Sequence, residues 1–215
     1  MSGFLTLIMR DVRLAFGRGG VSLPVIFMLL VATLYPFGVG PDAALLARTG
    51  GGMLWIAALL ASLLPIDRLI TPDAEAGVFD QLAVRGISDE WVAVTRIIAH
   101  WLTFGPPLML AAVPGSVLLR LNGDMLARLE LGLLLGTPGL AALSVMVAAI
   151  TAGLRGSGAL AGLLLLPLAI PLLIFGAGSL EPDGASAFKL IAACSMLFIA
   201  IAPFATGAAL RAMRE

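Results

Sequence analysis

Charge is scarce in this chain. Lysine, arginine, aspartate and glutamate make up only 12% of its 215 residues, while apolar side chains make up 60%. Soluble domains carry about a quarter charged residues, so there is too little polar surface here to coat a water-soluble body. The mean hydropathy of +1.06 says the same. Net charge is zero, which leaves no electrostatic footprint for nucleic acid. Lys189 is the one lysine, His100 the one histidine and Cys194 the one cysteine. A single cysteine inside an apolar run forms no intrachain disulfide and reads as a small packing residue. No His/Cys/Asp/Glu cluster has metal-ligand spacing, so no metal site is expected. A G-x-x-x-x-G-K-[ST] loop is missing as well, so ATP could act only through another subunit. The apolar runs hold almost no ionisable groups: Asp67 and Arg68 close the second and His100 opens the third. Ion-coupled carriers need intramembrane relays, and membrane hydrolases need paired acids, a metal cluster or a Ser/His dyad. Neither class is supported, and no catalytic residue is expected.

What the chain has is long apolar runs. Six of them lie at about 21–40, 50–70, 97–119, 131–151, 157–180 and 190–210. A hydrocarbon core of about 30 Å takes about 20 helical residues, so the sequence predicts an all-α membrane protein with one six-span domain over 21–210. Ten-residue alternating segments of a β-barrel are absent. No cleavable signal is expected, because the first run is long enough to span and is followed by others. Residues 1–20 read as an amphipathic interfacial helix, with Thr6, Arg10 and Arg13 in one wedge and Phe4, Leu5, Ile8, Val12, Ala15 and Phe16 on the opposite arc. Asp11 breaks this pattern, and Gly17, Gly19 and Gly20 end the helix. Residues 211–215 form a short tail. With the N-terminus inside, the inner segments hold nine of the thirteen basic residues, among them Arg18 and Arg155, and the outer loops hold four. The positive-inside rule then places both termini in the cytoplasm. Prolines punctuate most spans; Pro167 and Pro171 in the fifth are expected kinks.

The one long polar interval, residues 67–101, carries six of the thirteen acids. Thr71-Pro72-Asp73 reads as a helix start, with threonine as cap and proline at the first position. At helical pitch Val78, Phe79 and Leu82 share one side, and Asp73, Gly77 and Asp80 the other. Arg85-Gly86 ends that helix. Ser88-Asp89-Glu90 starts another, which runs into the third span. Residues 71–90 are thus a handle that a soluble partner can grip. His100 beside Trp101 reads either as a haem ligand or as a residue at the membrane–water boundary, where tryptophan is enriched; one histidine without a second ligand favours the boundary.

These stretches also carry a resemblance. An acidic, glycine-containing helix between spans two and three resembles the coupling helix of ABC-2-type exporter permeases. More closely, residues 34–64, DAEAGVFDQL (73–82), RIIAHW (96–101), LLLGTPGLAAL (133–143), LLLLPLAIPLLIFGAG (163–178) and APFATGAALR (202–211) resemble the haem exporter protein B family. Asp80 and Val78 depart mildly from its pattern. The resemblance implies a homodimeric permease subunit in the bacterial inner membrane, without its own ATPase site. The implied partners are an ABC ATPase subunit, a haem-handling membrane subunit, a small single-span subunit and a periplasmic haem chaperone. It makes Asp73, Gly77, Val78, Phe79, Asp80 and Leu82 the expected contact with the ATPase, the apolar cluster being the surface that enters its groove. Haem would be handled as cargo rather than held as a firmly bound cofactor. Two functions follow: haem export for cytochrome c maturation, or a non-conducting subunit whose ATP-driven motion releases a haem-loaded chaperone.

Overall fold

The computed structural model describes residues 2–17, 20–154 and 157–214, and no strand occurs among them. Gly19, Arg18 and Arg155, which entered the sequence reading, lie outside the described residues. Ten helices follow one another: α1 (Ser2–Gly17), α2 (Ser22–Val39), α3 (Ala43–Leu63), α4 (Ile66–Leu69), α5 (Thr71–Glu75), α6 (Val78–Val84), α7 (Asp89–Leu118), α8 (Gly123–Thr151), α9 (Ser157–Gly178) and α10 (Ala185–Ala212). Six of them, α2, α3, α7, α8, α9 and α10, are long and apolar enough to cross a membrane. An even number of crossings puts both ends of the chain on one side, called here the terminal face; the opposite side is the distal face.

Several spanning helices begin before the apolar runs do. Asp42 caps α3 by accepting from the Leu45 amide at 2.8 Å, and Asn122 caps α8 by accepting from the Met125 amide at 2.8 Å. Ser88 caps α7 from the Trp91 amide at 3.4 Å. Such caps satisfy the free N–H groups of a helix start, so the helix continues into polar sequence where hydropathy has already fallen. At the other end of α3 the expectation fails differently. The second span does not reach Ile70; it stops at Leu63, and the chain turns at Pro65 into the short α4, since proline has no N–H with which to extend the ladder. Helix α9 runs through Pro167 and Pro171 without interruption.

Helix α8 is the axis of the bundle. It packs against α3, α7, α9 and α10, and 78% of its apolar window is buried, against 17% for α2 and for α10. Small residues make this closeness attainable. Trp55 of α3, 1% exposed, sits in a cradle of glycines. A Cβ on Gly136 of α8 would lie 2.7 Å from its ring, and one on Gly176 of α9 2.6 Å. Gly139 of α8 lies against the backbone of Ser195 on α10, where a Cβ would come within 2.8 Å of Cα. Outward, Leu34, Phe37, Leu110, Leu163, Met196 and Phe204 are exposed, as a lipid-facing surface requires.

Candidate functional site

The handle is two helices rather than one. Gly77 adopts φ +65°, a left-handed conformation that costs glycine nothing, and it separates α5 from α6. Asp73 therefore does not share a face with Asp80. Thr71 lies inside α5 and makes no capping bond, the cap position falling on Ile70. The end of α6 is as expected from Arg85-Gly86: Gly86 takes φ +77°, its amide donates to Ala83 O at 2.9 Å, and the Ile87 amide donates to Leu82 O at 3.1 Å, the Schellman arrangement.

The apolar side of α6 faces this chain's own core. Phe79 is 4% exposed and Leu82 8% exposed, and Val78 packs against the same cluster. This corrects the expectation that these side chains form the surface offered to a partner. Burying them against the bundle removes more apolar area from water than a free surface helix could. What α6 turns outward is Asp80, Gln81, Arg85 and Val84, the last 90% exposed, with Glu75 exposed at the end of α5.

Arg96 of α7 holds the handle from within. Its guanidinium pairs with Asp73 of α5, lies 3.3 Å from Asp11 of α1 and donates to Leu69 O of α4 at 3.4 Å. It also stands 5.4 Å over the Phe79 ring of α6, within cation–π range. Arg10 of α1 closes the group, donating to both Asp73 oxygens at 2.8 and 2.9 Å and to Asp11 at 3.0 Å. One arginine thus ties α7 to four other helices. Burial raises the Asp73 carboxyl pKa, but the bonds from Arg10 and the charge of Arg96 outweigh this, and the net pKa lies below the usual value. For Asp11, burial dominates and the pKa is raised despite Arg96 and Arg10. The Asp73 bonds raise Arg10 further above its ordinary value.

A second group sits where α6 meets α7. Arg214, past the end of α10, donates to both oxygens of buried Asp89 at 2.9 and 2.5 Å and reaches Phe79 O at 3.5 Å. Arg211 of α10 donates to Glu90 at 2.5 Å and lies 3.7 Å from Asp89. Asp67 of α4 lies against the start of α9, where a Cβ on Gly158 would meet its carboxylate at 2.7 Å. None of Arg10, Asp11, Asp89, Glu90, Arg96, Arg211 and Arg214 was singled out as a site residue from sequence. One signal was present: Asp11 interrupts the apolar arc of α1, and it is the residue that reaches Arg96.

His100 is packed inside the bundle and Trp101 is half-buried, about one turn along α7 from Arg96 of the terminal face. His100 is 5% exposed and stacks on Phe104 with centroids 5.4 Å apart; its Nε2 has no protein partner among the described residues. Trp101 donates from Nε1 to Thr137 Oγ1 of α8 at 3.1 Å. The cavity beside His100, lined also by Asp11, Asp73, Arg96 and Thr103, measures about 80 Å³. That is room for roughly two or three waters at about 30 Å³ each, far less than a porphyrin needs.

The distal face holds an open groove of about 810 Å³, lined by Tyr35, Arg48, Ile56, Met125, Arg128 and Ile174 among others. Tyr35 donates to Thr49 at 2.9 Å, and Arg128 donates to Glu181 O at 2.7 Å. No metal-binding group of His, Cys, Asp and Glu occurs among the described residues.

A six-span bundle with a short amphipathic segment strapped to one face by arginine–carboxylate pairs defines a multi-pass helical membrane protein. Comparison with known proteins makes this specific. The family described as "CcmB protein" matches residues 2–213, and the chain belongs to that family. It is 44% identical over 211 residues to "Heme exporter protein B" of Paracoccus denitrificans, covering 95% of this chain and 97% of that protein. Identity to the Rhodobacter capsulatus protein of the same name is 46% over 212 residues, covering 95% and 97%. Identity to the Escherichia coli K12 protein of that name is 36% over 211 residues, 94% of each.

Proposed function

We propose that this chain is the membrane subunit of a haem exporter that serves cytochrome c maturation, driven by a separate ATPase subunit that grips α5–α6. The relatives' shared name supports the cargo. The observation that carries the mechanism is the anchoring of α5–α6 to α1, α7 and the end of α10 by Arg10, Arg96 and Arg214, with Asp80, Gln81 and Val84 left outward. A segment held so firmly moves the spans when it is moved. The ATPase contact is then Gly77, Asp80, Gln81, Val84 and Arg85, with Val84 the apolar anchor; Asp73, Phe79 and Leu82 act behind it. The terminal face is cytoplasmic by the distribution of basic residues, in a bacterial inner membrane, and the chain works as a dimer beside a haem-handling subunit, a small single-span subunit and a periplasmic chaperone.

Copurification tests this. Val84→Asp and Gly77→Trp should lose the ATPase while the membrane subunit still inserts. Retention of the ATPase by both at wild-type level overturns the assignment. Truncating or charging a buried interface anchor costs on the order of 2 kcal/mol or more.

A second reading has its own support. The middle of the bundle is filled by Trp55 against Gly136 and Gly176 at van der Waals limits, which suits a subunit that transmits motion and conducts nothing. In vesicles carrying the full complex, ATP-dependent haem flux supports export through this subunit. ATP-dependent release of loaded chaperone without flux supports transmission.

A further inference from the structure

Asp89 is a buried acid at the first position of α7, directly after the Ser88 cap. Its position is one a helix N-terminus favours for an anion. The charges that meet it come from the opposite pole of another helix. Arg211 and Arg214 stand at the end of α10, where the carbonyl ends of a helix favour cations. Arg214 uses the fork geometry of its guanidinium on both Asp89 oxygens, at 2.9 and 2.5 Å, and in addition reaches the Phe79 carbonyl on α6 at 3.5 Å. Arg211 takes Glu90 at 2.5 Å. Gly207 allows this approach: a Cβ there would meet Glu90 Oε1 at 3.0 Å. Further along, α10 is pressed to the axis of the bundle through Gly139–Ser195 and Gly136–Ile191.

We infer that the C-terminal end of α10 is a positioning clamp, in which Arg211 and Arg214 lock the α6–α7 corner so that displacement of α6 moves α10 together with α7. This rests on the reading that an ATPase drives α6. It adds that the stroke has two output shafts, and that the second depends on two arginines at the end of α10, of which Arg214 lines one pocket with Asp80. A rigid fork matters here more than charge alone, because lysine offers a point charge and cannot bridge both carboxylate oxygens in the same plane.

The test uses the assembled complex and the chain alone. In the complex, R211Q/R214Q should keep ATPase recruitment and ATP turnover, while cytochrome c produced per ATP falls about fivefold or more, the lower range of coupling effects; R214K should fall between it and wild type. In the chain alone, amide hydrogen exchange over residues 78–90 should rise in R211Q/R214Q, with residues 2–17 unchanged. Wild-type yield per ATP in the double variant overturns the clamp. So does unchanged exchange over 78–90, whatever the ATPase does. Failure of the wild-type chain to recruit any ATPase counts against the proposed function and leaves the exchange result to decide the clamp.

Discussion

The two faces of this bundle handle charge in opposite ways. On the terminal face Asp11, Asp73, Asp89 and Glu90 all meet arginines, and each of these pairs joins different helices. On the distal face Arg48 is exposed, Arg128 is met by the Glu181 and Pro182 carbonyls, and Glu130 buries Oε1 without a hydrogen-bond partner among the described residues. One face is cross-braced and the other is an open groove between short loops. A long segment outside the membrane has no lipid to hold it. Paired charges in a half-buried setting give it one orientation, and apolar packing of Phe79 and Leu82 gives it a fixed depth. The distal loops are too short to need either.

The sharpest way to break the contrast is to remove the central brace. Arg96→Leu removes the charged hydrogen bonds of Arg96 and leaves Asp11 and Asp73 to Arg10 alone, a loss of about 3 kcal/mol. Thermal unfolding in detergent should show the largest loss of any single substitution on either face. A loss no larger than that of Arg128→Ala would mean the brace is ornamental.

Next comes pH, where the two acids beside Arg96 should pull in opposite directions. Asp73 has a folded pKa below its ordinary 3.8, so its contribution is complete above 3.8 and is lost as pH falls through the depressed value. Asp11 has a folded pKa above 3.8, so its ionised form is a cost at neutral pH that is relieved as pH falls through the raised value. Asp73→Asn should therefore lose about 2 kcal/mol at pH 7, the scale of a charged hydrogen bond, with the deficit closing in strong acid. Asp11→Asn should stand at or above wild type at pH 7 and converge with it near pH 4. Unfolding midpoints against pH for the three proteins measure both.

The smallest effects belong to the distal face. Arg128→Ala should cost about 1 kcal/mol for its bonds to loop carbonyls, and Arg48→Ala should stay within about 0.5 kcal/mol, as exposed surface changes do. Equal losses at Arg48 and Arg96 would erase the distinction between the faces.

Much of the fold could be read from hydropathy, because a membrane span is a run of apolar residues whatever it packs against. The six crossings, the helix start at Ser88, the stop at Gly86 and the polar handle all have local causes. The rest depends on tertiary neighbours. Hydropathy marks hydrocarbon depth and says nothing of capped turns beyond it, so α3, α7 and α8 start earlier than their apolar runs. A glycine within DAEAGVFD is compatible with one helix or two; φ +65° at Gly77 decides for two. The Val78–Phe79–Leu82 cluster is legible as an apolar face, but periodicity does not tell whether that face meets a partner or the chain's own core. Arginines far apart in sequence, Arg10, Arg96 and Arg214, become a site only when the bundle brings α1, α7 and α10 together.

The outward face of α6 can be read directly by photocrosslinking in the assembled complex. A photoreactive side chain at Val84 should capture the ATPase subunit, and one at Leu82 should capture only residues of this chain. Capture of the ATPase from position 82 and not from 84 would mean that α6 turns its apolar side to the partner and that the clamped arrangement is not the working one.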